Sequence, residues 1–182
     1  MTEGRLQKTV ALVGMMGAGK TAVGNALARL LGVPFLDSDD EIERAANMTV
    51  TEIFARDGEA FFRNRETEVL KRLLAGPPCI LSTGGGAFLS ARNRDEIAQK
   101  GVAVWLKADL DLLWSRVRHK TTRPLLRTPD PRGTLARLLE DREPLYALAG
   151  LVVEARPAYS VEDMAGKVIE ALAERADILE TR

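Results

Sequence analysis

Gly14, Gly19, Lys20 and Thr21 stand in the stretch GMMGAGKT with the spacing G-x-x-x-x-G-K-T, a pattern suited to holding phosphate. Glycine leaves backbone N–H groups open to phosphate oxygens, and the positive end of a following helix adds to the attraction. Gly17, Ala18, Gly19, Lys20, Thr21 and Ala22 would then meet the phosphates of a nucleotide, with Lys20 on the outer ones and the Thr21 hydroxyl as a magnesium ligand. The motif follows an apolar run and opens a helical pattern, which is the context it needs. The plain alternative is a glycine turn that only joins strand to helix.

A phosphate loop implies a nucleotide without naming a reaction, so other polar positions must decide. FLDSDDEIE carries Asp37 and Asp39 two apart; in an extended segment a period of two turns both side chains to one side. One carboxylate can help hold magnesium and the other can bind or deprotonate an acceptor hydroxyl. The competing role for this acidic run is helix capping, by Asp39 and Asp40. STGGGAF places Gly84, Gly85 and Gly86 after a strand-like run, where a ligand can touch bare backbone. Arg63, Arg123 and Arg142 lie on three separate segments. Glu66, three residues after Arg63, is spaced to steady its guanidinium. Two arginines on one carboxylate, with a third over the phosphates, would suit phosphoryl transfer to an acid.

These residues need a frame that brings them together. The runs TVALV (Thr9–Val13), PFLD (ending at Asp37), CILS (Cys79–Ser82), VAVWL (Val102–Leu106) and LVVE (Leu151–Glu154) alternate with helical patterns, the signature of an α/β fold with a parallel sheet. A helix from about Lys20 sets Val23, Leu27, Leu30 and Leu31 on one face, and Gly32 ends it. Thr49-x-x-Glu52 is a capping pattern opening a short helix, followed by a longer one from about Glu59 that buries Phe62, Val69, Leu70 and Leu73. A last helix, capped by Ser160, buries Val161, Met164, Val168 and Leu172 and is expected to carry no chemistry. Between Arg118 and Leu135 runs HKTTRPLLRTPDPRGT, aperiodic and long enough for a functional loop.

At 182 residues, 46% hydrophobic and 29% charged, the chain is expected to be one domain with a sizeable core. Lys and Arg number 26, as do Asp and Glu, so no global field draws it to nucleic acid or anionic membrane. No apolar run approaches the roughly 18 residues of a membrane span, and the polar start MTEGRLQK does not read as a signal peptide; a cytoplasmic protein is expected. The lone Cys79 offers no disulfide, and the lone His119 lies in the basic run RVRHK. Chemistry therefore falls to carboxylates, lysine and arginine.

GMMGAGKT, FLDSDDEIE, EIFARDGEAFFRNRE, STGGGA, TTRPLL and DREPLY occur in one order between about Val10 and Met164, and in order and spacing the chain resembles the shikimate kinase family. The resemblance implies a P-loop, nucleoside-monophosphate-kinase-like fold with a five-stranded parallel sheet flanked by helices. A substrate-binding region would span about residues 37–66, and a mobile lid about 118–134, within one kinase domain over 1–182. It implies transfer of the ATP γ-phosphate to the 3-hydroxyl of shikimate, in the chorismate pathway, by a monomer. In that pattern Lys20, Asp39 and Arg123 are catalytic, Asp39 as the base. Thr21 and Asp37 serve Mg2+, and Arg63, Arg142 and Gly84 to Gly86 join Asp39 around shikimate. Arg116 and Arg123 attend ATP, as does Arg156, with Pro157, in EARPAYS. The terminal segments, including ERADILETR, lie outside the match.

Rival readings are weaker. A gluconate or nucleoside monophosphate kinase shares the loop, but the Asp39, Arg63 and Arg142 set with three glycines suits a compact polyhydroxy acid. A GTP-binding switch would need N-K-x-D, which the sequence lacks; DPRG at Asp130–Gly133 matches D-x-x-G but sits in a proline-rich stretch. An RNA-binding role for Arg116–Lys120 finds no support in the zero net charge and few aromatics.

Overall fold

The computed structural model describes residues 4–119 and 124–181. The elements in chain order are β1 (Gly4–Leu6), β2 (Thr9–Val13), α1 (Lys20–Leu31), β3 (Phe35–Asp37), α2 (Ser38–Ala46), α3 (Val50–Ala75), β4 (Ile80–Ser82), α4 (Ala91–Lys100), β5 (Gly101–Lys107), α5 (Leu110–Val117), α6 (Pro131–Tyr146), β6 (Leu151–Glu154), α7 (Val161–Ala173) and β7 (Leu179–Thr181), with single 3-10 turns at Ala87–Leu89 and Pro124–Leu126. Five strands form a parallel sheet in the order β3-β4-β2-β5-β6.

β2 is the central strand, all five of its residues buried, which fits a parallel strand covered on both faces. Val10, Leu12 and Val13 are fully buried, each worth about 1.5–3 kcal/mol of transfer free energy. The register aligns Leu12 with Ser82 on β4, and Ser82 with Asp37 on β3. The carboxyl ends of β2, β3 and β4 are therefore level, and the loops leaving them share one edge, where open parallel sheets bind ligands.

Of the residues expected on the buried face of α1, Val23 and Leu27 are buried while Leu30 is 56% exposed. α1 ends at Gly32, in the left-handed region at φ 64°. α2 and α3 pack on a smaller second cluster that includes Ile42, Ile53, Phe62, Leu70 and Leu81. Thr49 caps α3, accepting from the Glu52 N–H at 3.1 Å. α3 comprises the two expected helices, meeting at a kink at Gly58 (φ 83°, ψ 172°), a backbone conformation that only glycine adopts without strain.

Three further features depart from the sequence reading. α6 begins at Pro131, inside the stretch read as aperiodic: Asp130 caps it, accepting from the Gly133 N–H at 3.1 Å, with Pro131 in the first turn, so DPRG is a helix start. Val161 is 38% exposed rather than buried. The terminal segments, assigned nothing from sequence, pair as the antiparallel ribbon β1–β7, tied by Gln7 to Glu180 and Lys8 to Asp177. Cys79 is buried against the Thr9 hydroxyl, and His119 is exposed beside Arg118. Among the described residues no helix is long and apolar enough to cross a membrane.

Candidate active site

The loop from Gly14 to Gly19 leaves β2 and enters α1. Its three glycines have φ of 146°, 83° and 94°, so glycine here is a backbone requirement. Lys20 folds back across the loop, its Nζ donating to the Gly14 carbonyl at 2.6 Å and the Met15 carbonyl at 3.2 Å. Beyond the loop lies a cavity of about 490 Å³ lined by Gly17 to Ala22, Arg116 and, from the start of the last helix, Tyr159, Ser160, Val161 and Met164. Arg116 closes the near side, Nη1 donating to the Gly17 carbonyl at 2.9 Å. Arg156 and Pro157 are exposed and are not in the cavity wall. Tyr159 is, with the Arg156 guanidinium 5.9 Å from its ring centroid. The start of the last helix thus does line a site, which its apolar periodicity did not reveal.

A second cavity, of about 350 Å³, opens on the other side of the loop and shares Met16, Lys20 and Thr21 with the first. Its far wall brings together Asp37, Asp39, Arg63, Gly84 to Gly86 and Arg142, drawn from four regions of the chain. The expectation that Asp37 and Asp39 lie on one extended segment is not met. Asp37 ends β3 and caps α2, its Oδ1 accepting from the Asp40 N–H at 3.1 Å, and Asp39 is in the first turn of α2. A strand end running into a helix start brings both carboxylates to one cavity by a different route. The capping carboxylate is Asp37, not Asp39 or Asp40.

Burial, then the charges of Asp37, Glu66 and Glu43, push Asp39 up to about 6 from 3.8. Its Oδ1 is buried and has no hydrogen-bond partner among the described residues. Burial also raises Asp37, opposed by the Asp40 N–H. Such a pair suits a hydroxyl proton or a cation. Arg63 is held by Glu66, 1% exposed, through Nη1 at 3.0 and 3.1 Å to its two carboxylate oxygens. Behind it, Asn93 donates to Glu66 at 3.4 Å and to the Ala87 carbonyl at 2.9 Å, and the Thr67 hydroxyl donates to Asn93 Oδ1 at 2.8 Å.

The three glycines each make room for one functional side chain. A Cβ on Gly84 would sit 2.7 Å from Asp39 Oδ1, one on Gly85 would sit 3.2 Å from Arg142 Nη1, and one on Gly86 would overlap the Arg63 guanidinium. Their φ angles are not in the left-handed region, so space, not conformation, requires glycine. Met16, Thr83, Leu125 and the Ser38 hydroxyl, which accepts from the Gly84 N–H at 3.2 Å, also belong to this wall or its support and were missed from sequence. Arg123, expected in the lid, lies outside the described residues.

A phosphate loop between two cavities, one walled by paired carboxylates and arginines, defines a P-loop kinase of a small acidic molecule. The family model described as shikimate kinase matches residues 16–176. The chain is 69% identical over 177 residues to the shikimate kinase of Cereibacter sphaeroides, covering 97% of this chain and 88% of that one. It is 66% identical over 175 residues to that of Ruegeria pomeroyi, covering 96% and 90%. The solved shikimate kinase from Acinetobacter baumannii in complex with shikimate superposes with a TM-score of 0.84 at 42% identity, over 92% of this chain and 93% of that one. A gluconokinase from Sinorhizobium meliloti, 19% identical with a TM-score of 0.61 over 95% of each chain, shares the fold. The chain belongs to the shikimate kinase family.

Proposed function

We propose that the protein transfers the γ-phosphate of ATP to the 3-hydroxyl of shikimate, giving shikimate 3-phosphate and ADP in the pathway to chorismate and the aromatic amino acids. The observation that carries this reading is the sharing of Met16, Lys20 and Thr21 by two cavities, which sets a phosphate-binding lysine between donor and acceptor. ATP occupies the larger cavity, its adenine between Arg116 and Tyr159, with Arg156 behind the tyrosine ring. Shikimate occupies the smaller one. Arg63 and Arg142 take its carboxylate, and Asp39 accepts a hydrogen bond from the reacting hydroxyl. With its proton leaving near pH 6, Asp39 is ionised at neutral pH and matched to the proton released late in a loose transition state.

Thr21 and Asp37 line the same wall and fit Mg2+, which takes one or two protein oxygens and otherwise phosphates and water. Bound there, the ion would neutralise phosphate charge. Residues 37–66 form the acceptor side. The stretch 118–134 is the proposed lid, supported by Leu125, which is 51% exposed yet lines the acceptor cavity; closure there would keep water from the phosphate. The test is ADP release from MgATP with shikimate, quinate, gluconate, AMP, CMP or no acceptor. Release with shikimate alone is expected. Release only with another acceptor would keep the P-loop chemistry and overturn the reading of the acceptor wall.

A further inference from the structure

Three consecutive glycines have no side chains by which the protein can grip them, so their backbone must be held through its own polar groups. The Gly84 N–H is bonded to Ser38 and the Ala87 carbonyl to Asn93. The middle carbonyl, that of Gly85, is held from α6. Tyr146 is 1% exposed and donates its hydroxyl to the Gly85 oxygen at 2.9 Å. Arg142, one turn earlier, reaches the same oxygen at 3.4 Å. The Tyr146 ring packs on Trp105, centroids 6.0 Å apart, and Trp105 in turn borders Gly14 of the phosphate loop. Tyr146 does not line the acceptor cavity.

All peptides of the described residues are trans, and a planar trans peptide sets the N–H of one residue antiparallel to the preceding carbonyl. The bond from Tyr146 therefore fixes the Gly86 N–H as well as the Gly85 oxygen, within a loop that borders Asp39, Arg63 and Arg142. We propose that Tyr146 is a positioning residue for the acceptor: its hydroxyl holds the Gly85–Gly86 peptide, and with it the Arg142 guanidinium, in the orientation that receives an anionic group. The acceptor's identity here rests on the proposed function; the clamp itself does not.

Tyr146→Phe keeps the ring on Trp105 and removes only the hydroxyl. The shikimate KM is expected to rise about 3- to 10-fold, the loss of one hydrogen bond, with ATP KM and kcat unchanged. In the protein without ligands, hydrogen exchange at the Gly84, Ala87 and Leu89 amides is expected to speed up about 3- to 10-fold, with β2 and β5 unchanged. Leu135→Val, a fully buried change three turns earlier on the same helix and outside the acceptor wall, serves as the control and is expected to lower Tm without moving the shikimate KM. Unchanged loop exchange in Tyr146→Phe would overturn the proposal. So would equal rises in both substrate KM values in Tyr146→Phe and in Leu135→Val, which would mean a general packing role. If the wild type phosphorylates another acceptor instead, the functional reading fails, and loop exchange alone decides on the clamp.

Discussion

The donor and acceptor cavities meet at Lys20 but are built in opposite ways. The donor side rests on a backbone loop, with three positive-φ glycines and a helix start within Gly14–Ala22, closed by Arg116 and the start of α7. The acceptor side rests on charged side chains from α2, α3 and α6 around the glycine loop, Arg63 held by Glu66 and Arg142 on the Gly85 carbonyl. A backbone site tolerates changes in side chains that do not reach the ligand. A side-chain site depends on its supports, because an unpaired buried charge is costly.

That contrast can be broken most decisively at the shared residue. Lys20→Ala is expected to lower kcat about 10³-fold while the dissociation constant for shikimate stays near wild type; near-wild-type turnover in steady-state assays would remove Lys20 from the reaction. Next, Arg63→Ala should raise the shikimate KM about 30- to 100-fold and leave the ATP KM in place, consistent with about 2–5 kcal/mol for breaking a desolvated charge pair. It also strands Glu66, whose carboxyl burial already raises against the pull of Arg63, so a lower Tm should accompany it. An unmoved shikimate KM would take Arg63 out of the wall.

The smallest shift expected is one of stability, at Asp39, where it runs opposite to the loss of function. Its carboxyl keeps its proton to about pH 6 in the fold, against 3.8 ordinarily. Between about pH 4 and 6 the folded state binds more protons than the unfolded one, so this group's contribution to stability falls as pH rises through that window. Asp39→Asn is therefore expected to abolish turnover yet raise Tm at pH 7.5 by about 2–4 °C, a gain that disappears near pH 4. Wild-type kcat/KM should fall about tenfold per unit below about pH 6. A lower Tm for Asp39→Asn at pH 7.5 would mean that the charge is compensated in the fold.

The same contrast decides what was legible in the sequence. The phosphate loop was readable because its parts are contiguous, and Arg63 with Glu66 because three residues along a helix make neighbours. Asp37 and Asp39 were grouped for the wrong reason, since β3 ends at Asp37, two residues before Asp39, and α2 begins at Ser38. The start of α6 was written in Asp130 as cap and Pro131 in the first turn, but the surrounding prolines concealed it. Tyr146 stands four residues from Arg142, on the same helical face, a signal that spacing could have given. Tyr159 and the β1–β7 ribbon had none: one is placed by a turn before α7, and the other consists of three-residue strands whose partners lie at opposite ends of the chain.

The most direct measurement is the position of the phosphate in the product formed from γ-labelled ATP and shikimate, read by phosphorus–proton correlation in NMR. A single ester on the 3-hydroxyl is expected from the proposed placement of the ring against Asp39 and the two arginines, beside Lys20. Label recovered only as inorganic phosphate, or spread over several hydroxyls, would contradict an acceptor wall built from Asp39, Arg63 and Arg142.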